Sequence, residues 1–542
     1  MLLLLLAFPA SVSASQDFYV RHVVDYKFDT AGRSTVVNHI SLTNKIANYY
    51  ADRYEMELVG ENPQHISGRD AAGPLKITAT TPAPNTTRLV TRFNTPVTGL
   101  DKTLNFTIQY QGRTAVRKGQ VWEVTLPKFS NSSALDDYSL NLIVPPTFGQ
   151  PAYLSPPPAS SAGHSYVFTK DQLTQGIGVS GAFGNFQTLS FRLKYRLENS
   201  SVIPLPADSA YQKIFFDSIT PPPDSVTIDP DGNWLASFTA GDITVTGQAH
   251  ILIDPLTTFA DAPPEKYLSP TAYWPSTDPQ IINLAKSLKT PRKIYDYVVQ
   301  NVNYEYSAER KGALTALSSG KGVCTEFTDL FIAIARAAGI PAREVNGYGY
   351  TTDPGMQTPI HSWPQYWDSA RRIWVSVDPT WGKTSGGVDY FSKLDFNHLA
   401  FITRGLSDSQ PSVTTTDIQV SYTSYRDFPA LPVTAKWQPP LILIPYIPVF
   451  FKLHLTNPNS QALYNNPVTL PPYGSTTLTT QFTLTQPFDF TPRSVSLLNM
   501  PYNIPATLFL PWQLGFAILI SLTIISGGIY FQKLLRNRHL RR

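Results

Sequence analysis

Cys324 is the only cysteine in 542 residues, and its thiol stands where a helix should begin. Beyond it, Phe327, Leu330, Phe331, Ile334, Ala335 and Ala338 recur at the spacing of a helix that buries one face. Gly339 and Pro341 supply the stop signals expected just past its C-terminus. A thiol in the first turn of such a helix meets unpaired backbone N–H groups and the positive end of the dipole. Both favour the thiolate, the nucleophilic form. Free cysteines are often just small buried apolar residues, so position alone leaves packing and catalysis both open.

A base and a carboxylate lie downstream. The segment His361-Ser-Trp-Pro-Gln-Tyr-Trp367 is followed by Arg371-Arg-Ile-Trp-Val-Ser-Val-Asp-Pro-Thr-Trp-Gly382. Ile373, Val375 and Val377 alternate with Trp374, Ser376 and Asp378, the pattern of a half-buried strand. The aromatic-rich run from His361 reads as its hairpin partner, with a turn near Asp368–Ala370. A hairpin centred between Ser369 and Ala370 sets His361 directly opposite Asp378, with Cβ atoms about 5 Å apart. A slip of two residues would leave them diagonal neighbours on one face. Cysteine, histidine and aspartate so arranged form a nucleophile, a proton shuttle and a carboxylate that holds the imidazole tautomer.

Several of these residues carry a family resemblance. Gly322-Val-Cys-Thr-Glu-Phe327, Ala335-Arg-Ala-Ala-Gly-Ile-Pro-Ala-Arg343, Gly347-Tyr348, His361-Ser-Trp363 and Trp374-Val-Ser-Val-Asp-Pro-Thr380 together resemble the transglutaminase-like superfamily over about residues 265–400. The resemblance implies a papain-type α+β core with a helix-borne cysteine and a histidine and aspartate on the adjoining sheet. It implies that Cys324, His361 and Asp378 are nucleophile, base and orienting group. One departure is Pro364-Gln365, where many relatives carry an acidic residue.

The elements that must position this core begin and end near a membrane. Residues 1–14 read as a signal peptide, with an apolar run of leucines and the small-residue pattern Val12-Ser-Ala14. Residues 512–531 are uncharged and long enough for one spanning helix. The tail 532–542 carries Lys533, Arg536, Arg538, Arg541 and Arg542, which the positive-inside rule assigns to the cytoplasm. The net charge is +4, and these five residues leave the remainder about neutral. No basic stripe is left to hold nucleic acid. One cysteine also excludes an intrachain disulfide.

Between the ends the chain reads as α+β and multidomain. Alternating runs such as Val20–Phe28, Leu104–Tyr110 and Leu189–Leu197 give a β-sandwich region over 15–199. A small β-rich unit is expected over 200–264, the catalytic domain over 265–400, and an Ig-like sandwich over 405–505. Asp278-Pro279 and Thr290-Pro291 each pair an N-cap with proline at the first helical position. Leu441–Phe451 is apolar but broken by two prolines, and reads as a core strand with its approach loop. Asp229-Pro-Asp-Gly-Asn233 lacks the glycine and glutamate of a calcium loop and reads as a hairpin turn. Asn85, Asn105, Asn131 and Asn199 head glycosylation-type triplets. The nine histidines form no spaced ligand set, so neither metal nor cofactor is expected.

Two functions fit. One is a membrane-anchored extracytoplasmic thiol enzyme that cleaves amide or peptide bonds through a thioester, with surface proteins or cell-wall peptides as substrates. The other is a non-catalytic surface scaffold built on the same fold. Protease added to intact cells should remove the large domain and leave a short tail-bearing membrane fragment; a protected large domain would reverse the topology.

Overall fold

The computed structural model describes residues 17–127, 135–173, 178–256, 264–350, 360–385, 388–391, 394, 396–412, 415–465, 468–485, 491–505, 508 and 510–539. The expected signal peptide and the last residues of the tail lie outside these. Strands hold 49 % of the residues and helices 18 %, so the helical part of the candidate site is an island in a β-rich chain. Two compact units are present. The larger comprises Met1–Pro221, Asp229–Leu235 and Thr239–Arg426, the smaller Pro222–Ile228, Ala236–Phe238 and Asp427–Arg542.

The larger unit opens with an eight-stranded sheet. Strand β1 (Phe18–Phe28) pairs antiparallel with β2 (Ser34–Asn44), and β2 with β3 (Thr103–Gly112). Val20, Val24, Tyr26 and Phe28 are buried, as are Phe106, Ile108 and Tyr110, so the period-two pattern does mark the inward face. The turn between β1 and β2 is closed by the Asp29 carboxylate, which accepts from the Ala31 and Arg33 amides.

A second sheet joins segments far apart in the chain. Strand β4 (Phe186–Leu197) pairs with β5 (Gly241–Leu252) on one side and with the strand Thr415–Tyr422 on the other. Residues 241–252 therefore share a sheet with residues 186–197. Residues 415–422 belong to the larger unit, which ends at Arg426. Alternation shows that a segment is a strand but not which distant strand it joins.

The core that carries the candidate site follows β5. Helices α1 (Pro279–Leu288) and α2 (Pro291–Asn301) begin as the Asp-Pro and Thr-Pro pairs imply, with Asp278 accepting from the Gln280 amide and Thr290 from that of Lys293. A short strand β6 (Asn303–Tyr304), helix α3 (Ala313–Ser319) and strand β7 (Lys321–Gly322) lead into α4 (Cys324–Ala337). Four antiparallel strands complete the core: β8 (Ala342–Gly349), β9 (Ile360–Asp368), β10 (Ile373–Ser376) and β11 (His398–Arg404). They lie side by side in the order β10-β9-β8-β11. A short helix, α5 (Pro379–Thr384), follows β10.

Helix α4 is not amphipathic in its surroundings. Beyond its first turn it is buried all round, polar residues included. Phe327 and Leu330–Ala335 are fully enclosed among apolar residues of α1, α2 and α3 and beyond. Its polar side chains are buried because each has a partner. Asp329 accepts from Arg310 and from the Trp274 indole. Arg336 donates to the carbonyls of Ser269, Ala342 and Gly405. Arg310 also reaches Glu344 on β8, and Glu344 accepts from Ser362, next to His361 on β9. The guanidinium thus ties the cysteine helix to the histidine strand.

In the smaller unit, Thr434–Gln438, Val449–Thr456 and Ser475–Phe482 form an antiparallel sheet, with Phe451, Leu453 and Leu455 buried. The C-terminal helix, α6, spans Leu510–His539. Its stretch Leu514–Asn537 could cross a membrane: 24 residues rise about 36 Å, against roughly 30 Å of hydrocarbon. None of this stretch is buried by the rest of the chain.

Removing Arg310 leaves Asp329 and Glu344 buried without their shared cation. Arg310→Ala should therefore lose about 3–5 kcal/mol of stability in denaturant unfolding. A loss below about 1 kcal/mol, the range of an exposed pair, would show that the cation is not needed there.

Candidate active site

Cys324 is the first residue of α4 and is partly exposed. Two buried contacts set the helix start. Glu326 accepts from the Val323 amide through one oxygen and from the Lys311 amide through the other. Gly322 allows this, because a Cβ there would collide with that of Glu326.

His361 lies near the start of β9, opposite Gly347. Gly349 keeps the space beside it open, since a Cβ would fall 2.8 Å from the Trp381 ring and 3.3 Å from the His361 Cβ. The His361 Nε2 is 2.7 Å from Asp378 Oδ2. Cys324 is near enough to the imidazole to favour its protonated form. Trp381 stacks on the imidazole at 5.3 Å between ring centres.

Asp378 reaches His361 by a route other than the one expected. The observed hairpin pairs Gln365 with Ser376, Tyr366 with Val375 and Asp368 with Ile373, two residues out of the expected register. The loop is longer than anticipated: Asp368 accepts from the Ala370 and Arg371 amides, and Arg372 has φ +54°. Nor is the strand half-buried, for Ile373, Trp374 and Val375 are all enclosed. It ends at Ser376, so Asp378 is not a strand residue. It is the N-cap of α5, with Oδ1 accepting from the Trp381 amide at 3.0 Å. Asp378-Pro379 repeats the signature of Asp278-Pro279, so the cap was legible in the sequence.

The structure adds two residues that sequence reasoning missed. His398, at the start of β11, places Nε2 3.0 Å from the same Asp378 Oδ2. No local motif marks it. Tyr304 on β6 pairs in register with Gly322, two residues before the cysteine. Burial and the charge of Cys324 beside it push its phenol above the ordinary value. Gln365, which departs from the acidic residue of many relatives, bonds Arg343 and Ser376.

Charge follows from this geometry. Burial disfavours the His361 imidazolium, but the Asp378 carboxylate and Cys324 outweigh it and raise the group to about 10. Burial likewise penalises the Asp378 carboxylate, and the two imidazoles reverse that, holding it well below the usual range. His361, Asp378 and His398 also bring three ligand-capable atoms within 4.8 Å of one another, a set that could hold a metal ion. The same atoms are already engaged with one another at hydrogen-bond distances.

Residues 277–379 match the transglutaminase-like superfamily. No curated protein matches the chain. Among solved structures, the chain is similar to a "putative cysteine protease" from Cytophaga hutchinsonii, at 18 % identity and TM-score 0.33, over 45 % of this chain and 92 % of that one. It is similar to the periplasmic domain of TgpA from Pseudomonas aeruginosa at 19 % identity and TM-score 0.23, over 36 % and 88 %. A further likeness, to leukotriene A4 hydrolase from Saccharomyces cerevisiae, has 11 % identity and TM-score 0.23, over 34 % and 32 %.

A histidine raised from 6.5 to about 10 on folding stabilises fully below pH 6.5 and loses that contribution as pH climbs towards 10. The depressed Asp378 contributes above its unfolded value near 4 and loses its contribution in acid. The Tm difference between the wild type and His361→Ala should thus be widest between about pH 4 and 6.5 and narrow towards pH 10. A difference that stays constant to pH 10 would contradict the pairing.

Proposed function

We propose that this protein is a thiol enzyme that acts on amide or peptide bonds through Cys324, His361 and Asp378. The observation that supports the reading is a partly exposed thiol at a helix start near an imidazole that is itself hydrogen-bonded to a buried carboxylate. The His361 nitrogen not engaged by Asp378 holds the thiol proton as an imidazolium, and the thiolate attacks the carbonyl carbon. The imidazolium then protonates the leaving amine as the C–N bond breaks, which leaves a thioester. Water, deprotonated by the same nitrogen, attacks the thioester and releases acid and thiol. The partial exposure of Cys324 supports hydrolysis over transfer to a second amine, since water has access.

The Cys324 amide at the start of α4 would donate to the developing oxyanion, and the Tyr304 hydroxyl is the side-chain donor we assign beside it. Asp378 orients the imidazole, and His398 positions Asp378 through the same carboxylate oxygen. Substrates would be proteins or peptides outside the cell, cell-wall peptides included. The larger unit would face outward and the basic tail the cytoplasm, with α6 between them.

Cys324→Ala should abolish turnover of peptide and amide substrates with little change in unfolding. Asp378→Asn should slow it by on the order of 10²–10³, less than in a serine triad because a Cys–His pair can ionise unaided. His361→Ala should cost at least as much. The folded protein should also react with iodoacetamide at neutral pH faster than a free thiol. Equal turnover by Cys324→Ala would remove the enzyme reading.

A further inference from the structure

The smaller unit carries an apolar surface at the root of its long helix. From Leu441 to Phe451, eleven residues run without a charge. Phe451 turns into the core, but before it Leu441 is 98 % exposed, Tyr446 68 % and Phe450 58 %, with Ile444 and Ile447 exposed beside them. This segment is an approach loop to the strand Val449–Thr456, as its prolines imply, yet its apolar side chains are spent on solvent rather than on packing. Soluble surfaces rarely gather such side chains without a use for them.

The loop is held in place by its backbone. Leu443 is buried against Phe451, Val495, Ile504 and Leu508. Its amide donates to the Leu508 carbonyl at 2.8 Å, two residues before α6 begins. The Tyr446 amide donates to the Leu484 carbonyl at 3.0 Å, and Pro445 and Pro448 have no amide hydrogen to satisfy. The apolar span of the helix starts at Leu514, four residues after α6 begins at Leu510, or about 6 Å along its axis. A bilayer crossed by α6 would therefore have its surface at the level of this loop. Leucine, isoleucine and phenylalanine suit the outer acyl region, and a tyrosine suits the headgroup level.

We propose that the Leu441–Phe450 loop inserts into the outer part of the bilayer as a second anchor, with lipid as its occupant. The inference rests on α6 spanning that bilayer. A protein partner would meet the same side chains, but α6 supplies a reason for lipid and none for a partner.

Single cysteines placed at Leu441, Phe450, Thr456 and Ile520, each in full-length Cys324→Ala, can carry an environment-sensitive fluorophore in phosphatidylcholine vesicles doped with nitroxide lipids. Insertion by roughly 5–10 Å predicts about a two-fold or greater loss of emission at 441 and 450 with a headgroup-level nitroxide. Thr456 is exposed at the far end of the strand, about 20 Å from Phe450 at 3.3 Å per residue, and should be unaffected. Ile520 should respond to a nitroxide deep in the acyl chains. Quenching at 520 with water-like emission at 441 and 450 would overturn the loop proposal and leave the helix spanning. No quenching at 520 would refute the spanning helix and the loop proposal with it. Shifted emission at 441 and 450 without lipid quenching would mean that protein covers the loop, and would also overturn it.

Discussion

The carboxylate of Asp378 cannot stand alone where it is. It is fully enclosed, and an ionised group taken out of water without partners costs several kcal/mol. Three donors from three elements meet that demand: His361 on β9, His398 on β11 and the Trp381 amide in α5. Each contact limits where its own element can lie. Strands β9 and β11, the short helix α5 and the His361 imidazole are thereby held in one arrangement. A rigidly held imidazole follows from that packing and needs no other device.

The second constraint is the enclosure of α4. A helix buried on every side must satisfy its polar side chains internally, and here those side chains bind it to its neighbours. Asp329 meets Arg310, Arg310 meets Glu344, and Glu344 meets Ser362, one residue from His361. Glu326 does the same at the helix start, where two backbone amides converge on its carboxylate. The thiol and the imidazole sit on different elements, yet both are tied to one buried polar network. Such a network gives the geometry of a reacting pair a precision that apolar packing alone supplies less well.

The two compact units divide the physical problems between them. The larger one buries charge to hold a site. The smaller one leaves apolar surface uncovered, along α6 and on the loop before the strand Val449–Thr456. In water that arrangement has no compensation; at a bilayer it has one.

Much of this was legible in the sequence because it depends on local rules. The helix after Cys324 follows from apolar spacing, the starts of α1 and α2 from Asp-Pro and Thr-Pro, the inward faces of β1 and β3 from alternation, and the apolar span of α6 from composition. The order of Cys324, His361 and Asp378 pointed to a triad through residue types and motif spacing. What only the tertiary structure decided depends on contacts between distant segments. Hairpin register turned on a loop whose Asp368 side chain and left-handed Arg372 added two residues. The pairing of 415–422 with 186–197 joined segments more than two hundred residues apart. His398 became a partner of Asp378 only when β11 was laid beside β8. Periodicity reports the face a residue presents, whereas register and sheet order are set by the burial that all strands reach together.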